Sequence, residues 1–467
     1  MELNISDKHN KPPWQVLKFE ELITKQKSIY FDIEDFEEII DYYFARGYLQ
    51  KSLNIVNYAT SMHNSSSALM LKRAQVLAAS GKEKRALEIL TRLESLEPSN
   101  PDILLTKGAI YSQLKKYEKA IEEYRKAATK AEDPDYVYCN IAFEYENMGD
   151  YDKTLEYLEK ALEVNPENDL AIYEAAYCFD LLSLNEESIK FFKNLIDRHP
   201  YSLEAWFNLG ISYLNSGLYE KSHEALDYAI AIDENHTPSW FHKGYVFGLM
   251  ADFPKAIDCY VKSIVEDDQD AMKYYYIGEC YEKMENYHDS VKYYMMCLDK
   301  DDAIAEAWMG LGVCKSEMGD KKAGIQHLKK ALSLEPENTT CLCLLADSYM
   351  SCDMFDKAAE YFDKALETDP EDKNIWLDYA EACTCYGQFN KATKLLSEVQ
   401  DKFPNDQEIL YRKSQYLFMQ GKNQEAAYFL EEALSINYEA HKKIISDYPE
   451  ILNNSIFTNL VELYKPL

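Results

Sequence analysis

Small residues recur along this chain at a constant interval of 34 residues, and this spacing restricts the possible folds more than any other feature. From residue 74 onward the series runs without insertion or deletion as Ala74, Gly108, Ala142, Ala176, Gly210, Gly244, Gly278, Gly312, Ala346, Ala380 and Ser414. One step earlier stands Ile40, a weaker member. A fixed period of this length is typical of a solenoid built from tandem units. With the small residue numbered as position 8, twelve repeats run from residue 33 to residue 440.

Other positions establish the same register independently. Position 20 is small in every repeat, and position 4 always carries a large aliphatic or aromatic side chain. Positions 4, 8 and 11 share one face of a first helix, and positions 20, 24 and 27 share one face of a second helix. Small residues at positions 8 and 20 allow the two helices to approach closely, while bulky neighbours fill the remaining space. The pattern therefore predicts one helix hairpin in each repeat.

The ends of the helices also have a sequence signal. Glycine recurs at position 15, where a left-handed residue would end the first helix. Proline recurs at position 32, where it would stop the second helix. The third, sixth, seventh and eighth repeats have an acidic residue there instead, namely Glu132, Glu234, Asp268 and Asp302. We expect altered loop geometry in these four repeats.

The repeats resemble a known family. Residues 206–213 read Trp-x-x-Leu-Gly-x-x-Tyr, and Ser222 and Leu226 follow where the family has Ala and Phe, so this segment resembles the tetratricopeptide repeat. The resemblance extends over residues 33–440, and the whole chain resembles long bacterial proteins made almost entirely of such repeats. It implies an all-α fold, an α-solenoid that winds into a right-handed superhelix of about twelve helix-turn-helix units.

The two ends of the chain depart from the repeat. Residues 1–32 form a predicted non-repeat N-terminal segment, in which the sequence Lys11-Pro12-Pro13-Trp14 predicts an extended break. Residues 441–467 form a predicted C-terminal capping segment with a final helix, since the last repeat of a solenoid needs a cover for its apolar face.

Charge restricts the class of partner. The chain has 50 Lys and Arg against 81 Asp and Glu, a net charge of −31. Such a deficit of basic residues argues against nucleic acid as a partner, because phosphate binding needs Lys and Arg. Neither a secretory signal nor a stretch long enough for membrane insertion is present, so we expect a cytoplasmic protein.

The sequence predicts no enzyme, no metal site and no cofactor. It has no Gly-rich phosphate loop, no zinc-protease helix and no nucleophile elbow. The eleven cysteines include no C-x-x-C pair, which favours reduced core thiols over disulfides or metal ligands.

The family resemblance implies that first helices line an inner groove through positions 2, 5, 9, 12 and 13. Aromatic residues occupy several of these positions in the fourth to eighth repeats, and two glutamates of the eighth repeat lie beside them. The candidate partner-binding residues are Tyr136, Phe143, Tyr173, Tyr177, Phe207, Phe241, Tyr245, Tyr275, Glu279 and Glu282. The rings could instead widen the buried stripe of each helix, and the acidic residues could be ordinary solvated surface. Both interpretations remain open at this point.

The predicted function is that of a scaffold or adaptor that binds protein or peptide partners in the groove. A complementary ligand would carry apolar side chains followed by Lys or Arg. The alternative is a structural subunit that self-assembles or belongs permanently to a complex. The sequence leaves the oligomeric state open.

Overall fold

The structure, a computed structural model, describes residues 12–25, 30–265 and 268–466. In these ranges every regular element is a helix, which confirms the predicted all-α solenoid class. The chain divides into two compact units, Met1–Glu234 and Asn235–Leu467, here called the N-terminal unit and the C-terminal unit. None of the helices in the described ranges has both the length and the apolar character needed to span a bilayer.

In the N-terminal unit, each helix packs against the next one along the chain. Its helices are α1 (Trp14–Thr24), α2 (Ile33–Ala45), α3 (Leu49–Met62), α4 (Ser67–Ala79), α5 (Glu83–Leu96), α6 (Pro101–Gln113), α7 (Tyr117–Ala128), α8 (Asp135–Asn147), α9 (Tyr151–Val164), α10 (Asp169–Leu181), α11 (Asn185–Arg198), α12 (Leu203–Asn215) and α13 (Tyr219–Ile232).

The C-terminal unit continues the hairpin pattern and adds a short terminal segment. Its helices are α14 (Thr237–Leu249), α15 (Phe253–Ser263), α16 (Ala271–Lys283), α17 (Tyr287–Lys300), α18 (Ala305–Glu317), α19 (Lys321–Leu334), α20 (Thr339–Met350), α21 (Phe355–Thr368), α22 (Lys373–Cys385), α23 (Phe389–Lys402), α24 (Gln407–Met419), α25 (Asn423–Ile436), α26 (His441–Asp447) and α27 (Ser455–Leu463). Two 3-10 turns, Tyr438–Ala440 and Pro449–Asn453, flank α26.

The first helices, α2 to α24 in even numbers, begin every 34 residues from Ile33 to Gln407. In nine of the twelve, the preceding Asp, Asn or Ser accepts a hydrogen bond from a backbone N–H of the first turn, as Ser66 does from Leu69. Such a cap satisfies a donor that the helix itself leaves without a partner. The repeat period is therefore visible in the helix starts as well as in the packing residues.

Position 15 adopts a left-handed conformation in all twelve repeats. Seven repeats place glycine there with φ between 70° and 91°, as predicted. The other five place a residue with a side chain in the same conformation, namely Lys115, Ser183, Ala251, Glu285 and Asp353. The turn between the two helices thus keeps one geometry whether or not glycine is present, at a conformational cost where it is absent.

The expected changes in the loops after second helices occur in two of the four repeats. Second helix α7 has 12 residues and α15 has 11, whereas α13 and α17 keep the usual 14. Helix length therefore changes in the third and seventh repeats and stays the same in the sixth and eighth. There, Asp233 and Asp301 adopt extended backbone and end the helix without a proline at position 32.

Glycine at position 8 permits the close approach that the sequence predicts. A Cβ atom at Gly210 would lie 2.8 Å from Cγ of Leu226, and one at Gly278 would lie 2.8 Å from Cδ1 of Tyr294. Both contacts join position 8 of a first helix to position 24 of the second helix in the same repeat. These crossing points set the spacing of the hairpin.

Both ends of the chain carry additional packed helices. Helix α1 contacts α2, with Val16 and Phe19 buried, and the hydroxyl of Tyr43 donates a 2.7 Å hydrogen bond to Glu20. Of the predicted N-terminal break, Lys11 lies outside the described residues, and Pro13 has φ −54° and ψ 154°. The prediction is wrong for Trp14, which is the first residue of α1. At the other end, α27 contacts α25 and buries Phe457 completely.

Candidate functional site

The first-helix face of the N-terminal unit exposes three of the candidate tyrosines. Tyr173 and Tyr177 lie one turn apart on α10 and are 67% and 46% exposed. Tyr136 on α8 is 43% exposed. Phe143 and Phe207 are half-buried. Large exposed rings grouped on one face are unusual for a soluble protein surface without a partner.

A groove of about 540 Å³, here called the α10–α12 groove, lies between these two first helices. Its rim includes Tyr173, Tyr177 and Phe207. Its floor includes the buried rings of Phe179 and Phe192. Five aromatic rings thus contribute to the lining, together with polar side chains such as Asn185, Asn208 and Asn215.

The charge of the α10–α12 groove is negative. Asp169, Asp180 and Glu204 line it, and no Lys or Arg is among the described residues that do so. Next to it on α10, burial and then repulsion from Glu146 raise the pKa of Glu174. Burial disfavours the charged form of any group, and the repulsion from Glu146 adds a cost for a second negative charge. This electrostatic character favours a cationic ligand over an anionic one.

The aromatic candidates of the C-terminal unit are packed rather than exposed. Phe241, Tyr245 and Tyr275 are all half-buried. Phe241 and Tyr245 both contact Tyr276, with ring centroids 5.6 and 5.7 Å apart, and Tyr275 lies 5.9 Å from Tyr294. The aromatic stripe is therefore divided: three tyrosines of the N-terminal unit are exposed, whereas Phe143, Phe207 and the three candidates of the C-terminal unit are half-buried.

The two candidate glutamates of the eighth repeat differ in their contacts. Glu282 accepts a 2.7 Å hydrogen bond from the hydroxyl of Tyr294, an internal contact, and burial raises its pKa. Glu279 is half-buried beside the aromatic cluster of Phe241, Tyr245, Tyr275 and Tyr276, and burial raises its pKa as well. Glu279 is thus the better placed of the two to meet a ligand.

Farther along, the acidic inner positions of the C-terminal unit are partly neutralised by a residue that sequence reasoning missed. Arg412 lies 2.7 Å from Glu381 and 3.2 Å from Glu408. Asp347 and Asp378 retain pKa values raised first by burial, and for Asp347 also by repulsion from Asp378. Arg412 lies at position 6 of its repeat, which is not one of the groove positions 2, 5, 9, 12 and 13 implied by the family resemblance.

Sequence reasoning also missed Tyr276 and Tyr260, which lie at the centre of the aromatic cluster. Their rings stack at 5.6 Å with an angle of 15° between planes. Tyr276 stands at position 6 and Tyr260 at position 24, a core position. A count of aromatic residues at every position of neighbouring repeats could have indicated this cluster.

Most of the cysteines and one histidine on a first helix lie in buried surroundings. Eight of the eleven cysteines are buried, and burial raises the pKa of Cys139 to about 12, which makes its thiol a poor nucleophile at neutral pH. Burial lowers the pKa of His242 to about 4. Within the described part of the chain, no group of three His, Cys, Asp or Glu side chains is placed to hold a metal ion.

Family models support the identification of the repeats. Four models described as tetratricopeptide repeat match residues 136–168, 203–236, 305–338 and 353–415. A model described as anaphase-promoting complex, cyclosome, subunit 3 matches residues 46–127. No curated protein matches the chain.

Solved structures match this chain at low sequence identity and with low TM-scores. The APC/C hetero-tetramer Cut9-Hcn1 is 16% identical, covering 85% of this chain and 92% of that chain, with a TM-score of 0.41. MamA from Desulfovibrio magneticus RS-1 is 20% identical, covering 37% and 97%, with a TM-score of 0.35. YrrB, described as a TPR protein with an unusual peptide-binding site, is 17% identical, covering 39% and 95%, with a TM-score of 0.34. At these TM-scores none of the three bears on function.

Proposed function

Because this chain belongs to the tetratricopeptide-repeat family, we propose that it is a scaffold or adaptor that binds polypeptide partners through its first-helix faces. One observation carries the proposal: Tyr173 and Tyr177 are exposed on the rim of the α10–α12 groove, a groove of about 540 Å³ with an aromatic floor. Tyrosine supplies a large apolar area and a polar hydroxyl at low entropic cost, which is why it is enriched at binding hot spots.

The proposed ligand is a peptide segment with apolar side chains and Lys or Arg. The apolar side chains would contact Tyr136, Tyr173, Tyr177 and the half-buried Phe143 and Phe207. The negative charge of Asp169 and Asp180 selects for cationic residues near them. Lys or Arg side chains of a partner would also bind acidic residues of the C-terminal unit, and Glu279 is the principal candidate. The net charge of −31 makes nucleic acid a poor candidate.

The proposal is tested by selecting random peptides displayed on phage against the purified full chain. We expect enrichment of peptides that combine aromatic or aliphatic residues with Lys or Arg. Replacing both tyrosines, Tyr173→Ala with Tyr177→Ala, should weaken the selected peptides at least about tenfold, because truncation of an aromatic hot spot costs about 2 kcal/mol or more.

A matched control is available outside the groove. Tyr201 is 85% exposed and does not line the α10–α12 groove, so Tyr201→Ala should leave affinity unchanged. Equal binding by the double variant and the parent chain would contradict the proposal for this groove.

The alternative is a chain that assembles with itself, and the end of the C-terminal unit gives it some support. Helix α27 leaves Leu463 75% exposed and Ile456 36% exposed after the last repeat. Light scattering coupled to size-exclusion chromatography separates the two functions. A monomer across concentrations supports the adaptor, and a concentration-independent oligomer supports self-assembly.

A further inference from the structure

A second recess lies entirely within the C-terminal unit and has a different character from the α10–α12 groove. This recess, here called the α14–α16 cavity, has a volume of about 390 Å³. Tyr245, Tyr275 and Tyr276 line it, with Tyr260 beneath. The planes of Tyr245 and Tyr276 meet at 76° and those of Tyr275 and Tyr276 at 68°. Tyr245 and Tyr275 thus both make edge-to-face contacts with Tyr276 in the lining.

Two carboxylates complete the lining of the cavity. Glu279 comes from α16 and Glu306 from α18, while Lys283 is the one basic side chain among the described residues that line it. Burial is the main reason that the pKa of Glu279 is raised, and the charge of Lys283 offsets it only in part. Glu279 and Glu306 together outweigh Lys283, so the lining is formally negative, and an opposite charge beside Glu279 would favour its ionised form.

We infer that the α14–α16 cavity binds the cationic end of a Lys or Arg side chain presented by a partner polypeptide. The cation would lie against the electron-rich faces of the tyrosine rings, which attract ammonium and guanidinium groups. Its hydrogen-bond donors would reach the carboxylates of Glu279 and Glu306, and such charge-assisted bonds are stronger than neutral ones. This inference rests on the proposed function for the source of the ligand, and it assigns the basic part of that ligand to one defined cavity.

One lining position allows the cavity to be blocked without a change in charge. Gly248 on α14 lines the cavity, and a Cβ atom added there would meet only the hydroxyl of Tyr260, at 3.9 Å. A larger side chain at this position would therefore extend into the open space. Leucine also favours the helix more than glycine does, so Gly248→Leu should fold normally.

The test uses two short probes and the full chain. The probes are acetylated, amidated pentapeptides Ala-Ala-Arg-Ala-Ala and the same sequence with citrulline, the neutral isostere of arginine. Binding is measured by ligand-observed saturation-transfer NMR. We expect the arginine peptide to bind about tenfold more tightly, since cation–π and charge-assisted contacts together are worth about 1–2 kcal/mol.

Three variants locate the binding. Glu279→Gln should reduce the preference for arginine over citrulline to less than about threefold, and Gly248→Leu should abolish binding of both probes. Asp299→Asn removes one exposed carboxylate from α17 and should leave the preference unchanged, which controls for net charge. Circular dichroism confirms that each variant retains its helices.

Two outcomes would overturn the inference. Equal affinity for the arginine and citrulline peptides would show that no cation is recognised, and unchanged binding by Gly248→Leu would place the ligand elsewhere. Failure here, with peptide capture still dependent on Tyr173 and Tyr177, leaves the proposed function of the N-terminal unit intact. If instead the arginine preference depends on Glu279 but peptide capture does not depend on Tyr173 and Tyr177, the cation site is supported and the proposed function of the α10–α12 groove is not.

Discussion

The two units place aromatic residues at equivalent repeat positions but use them differently. In the N-terminal unit, Tyr173 and Tyr177 at positions 5 and 9 of α10 face outward. In the C-terminal unit, Phe241 and Tyr245 occupy the same positions of α14 and pack against Tyr276. A position in the repeat thus determines which face of the hairpin a side chain lies on, without determining whether it is exposed.

The difference arises from the residues around each ring. Beside Tyr173, position 6 of the next first helix is Asn208 and position 24 of the same repeat is Phe192, which is fully buried in the floor. Around Phe241, position 6 of the next first helix is Tyr276, and position 24 of the same repeat is Tyr260. Where these supporting positions carry tyrosine, rings at positions 5 and 9 have aromatic partners to pack on, and the face becomes a walled cavity.

The most damaging change to the packed face should be Tyr294→Ala. This ring is 1% exposed and fills the space between Gly278 and Gly310. Its removal leaves a cavity and deprives Glu282 of a hydrogen bond, so we expect a loss of about 3–5 kcal/mol. Hydrogen exchange should show the loss in α16 to α18, because each repeat contacts only its neighbours. Tyr294→Phe loses only the hydroxyl and should cost about 1 kcal/mol of stability. Equal hydrogen-exchange rates in the parent chain and in the Tyr294→Ala variant would contradict this packing.

A direct comparison of the two faces comes next in size. Tyr275→Ala removes a ring that contacts both Tyr276 and Tyr294, so unfolding by urea should show a loss of about 1–2 kcal/mol. Tyr173→Ala removes a ring that is 67% exposed and should change stability by less than about 0.5 kcal/mol. Similar losses in the two variants would mean that the exposed face is also part of the core.

The units also differ in how they treat a buried carboxyl group on a first helix. Glu282 has its donor in Tyr294, whereas Glu144 on α8 is 4% exposed and, among the described residues, its Oε2 has no hydrogen-bond partner. Burial raises the pKa of Glu144 above its ordinary value, although a hydrogen bond from Ser112 opposes this. The Glu144 carboxyl group therefore keeps its proton to a higher pH in the folded protein than in the unfolded chain, and its contribution to stability falls as the pH rises between the unfolded and folded pKa values.

Glu144→Gln should accordingly stabilise the N-terminal unit by about 1 kcal/mol at mildly alkaline pH, since an amide replaces a buried charge. The gain should vanish in acid, where the carboxyl group is already protonated. Urea unfolding across this pH range measures it. Glu163→Gln, an exposed position on α9, should show no such pH-dependent gain, and a gain that persists in acid would contradict the ionisation argument.

Most of the fold could be predicted from the sequence because a small residue is required wherever the two helices of a hairpin cross, and this requirement produces the 34-residue period. Gly210 and Gly278 are needed at crossing points where a Cβ atom would overlap its neighbour, and such a requirement is visible in one sequence. The exposure of Tyr173 and the packing of Tyr245 could not be predicted in the same way. They depend on pairs of side chains from different helices, such as Tyr245 with Tyr276, whose distance the spacing alone does not give. The partner-binding role of both faces stays a prediction.

The smallest expected effect concerns the turn that both units share at position 15. Lys115 in the N-terminal unit and Ala251 in the C-terminal unit have φ values of 54° and 59°, in the left-handed region that disfavours side chains. Lys115→Gly and Ala251→Gly should each stabilise the chain by roughly 0.5 kcal/mol, the relief of strain less the entropy that glycine adds to the unfolded state.

The reverse change, Gly149→Ala, should destabilise it by about 1 kcal/mol or more, although a Cβ atom there would meet nothing within 4 Å. Urea unfolding of the three variants measures these changes, and at Gly149 the backbone term is isolated because a Cβ atom there has no neighbour. Equal gains from Lys115→Gly and Ala251→Gly would show that the hairpin turn is the same in both units, so that their difference lies in the side chains of the first-helix faces. A loss of stability on introducing glycine at either site would mean that the replaced side chain makes a stabilising contact of its own.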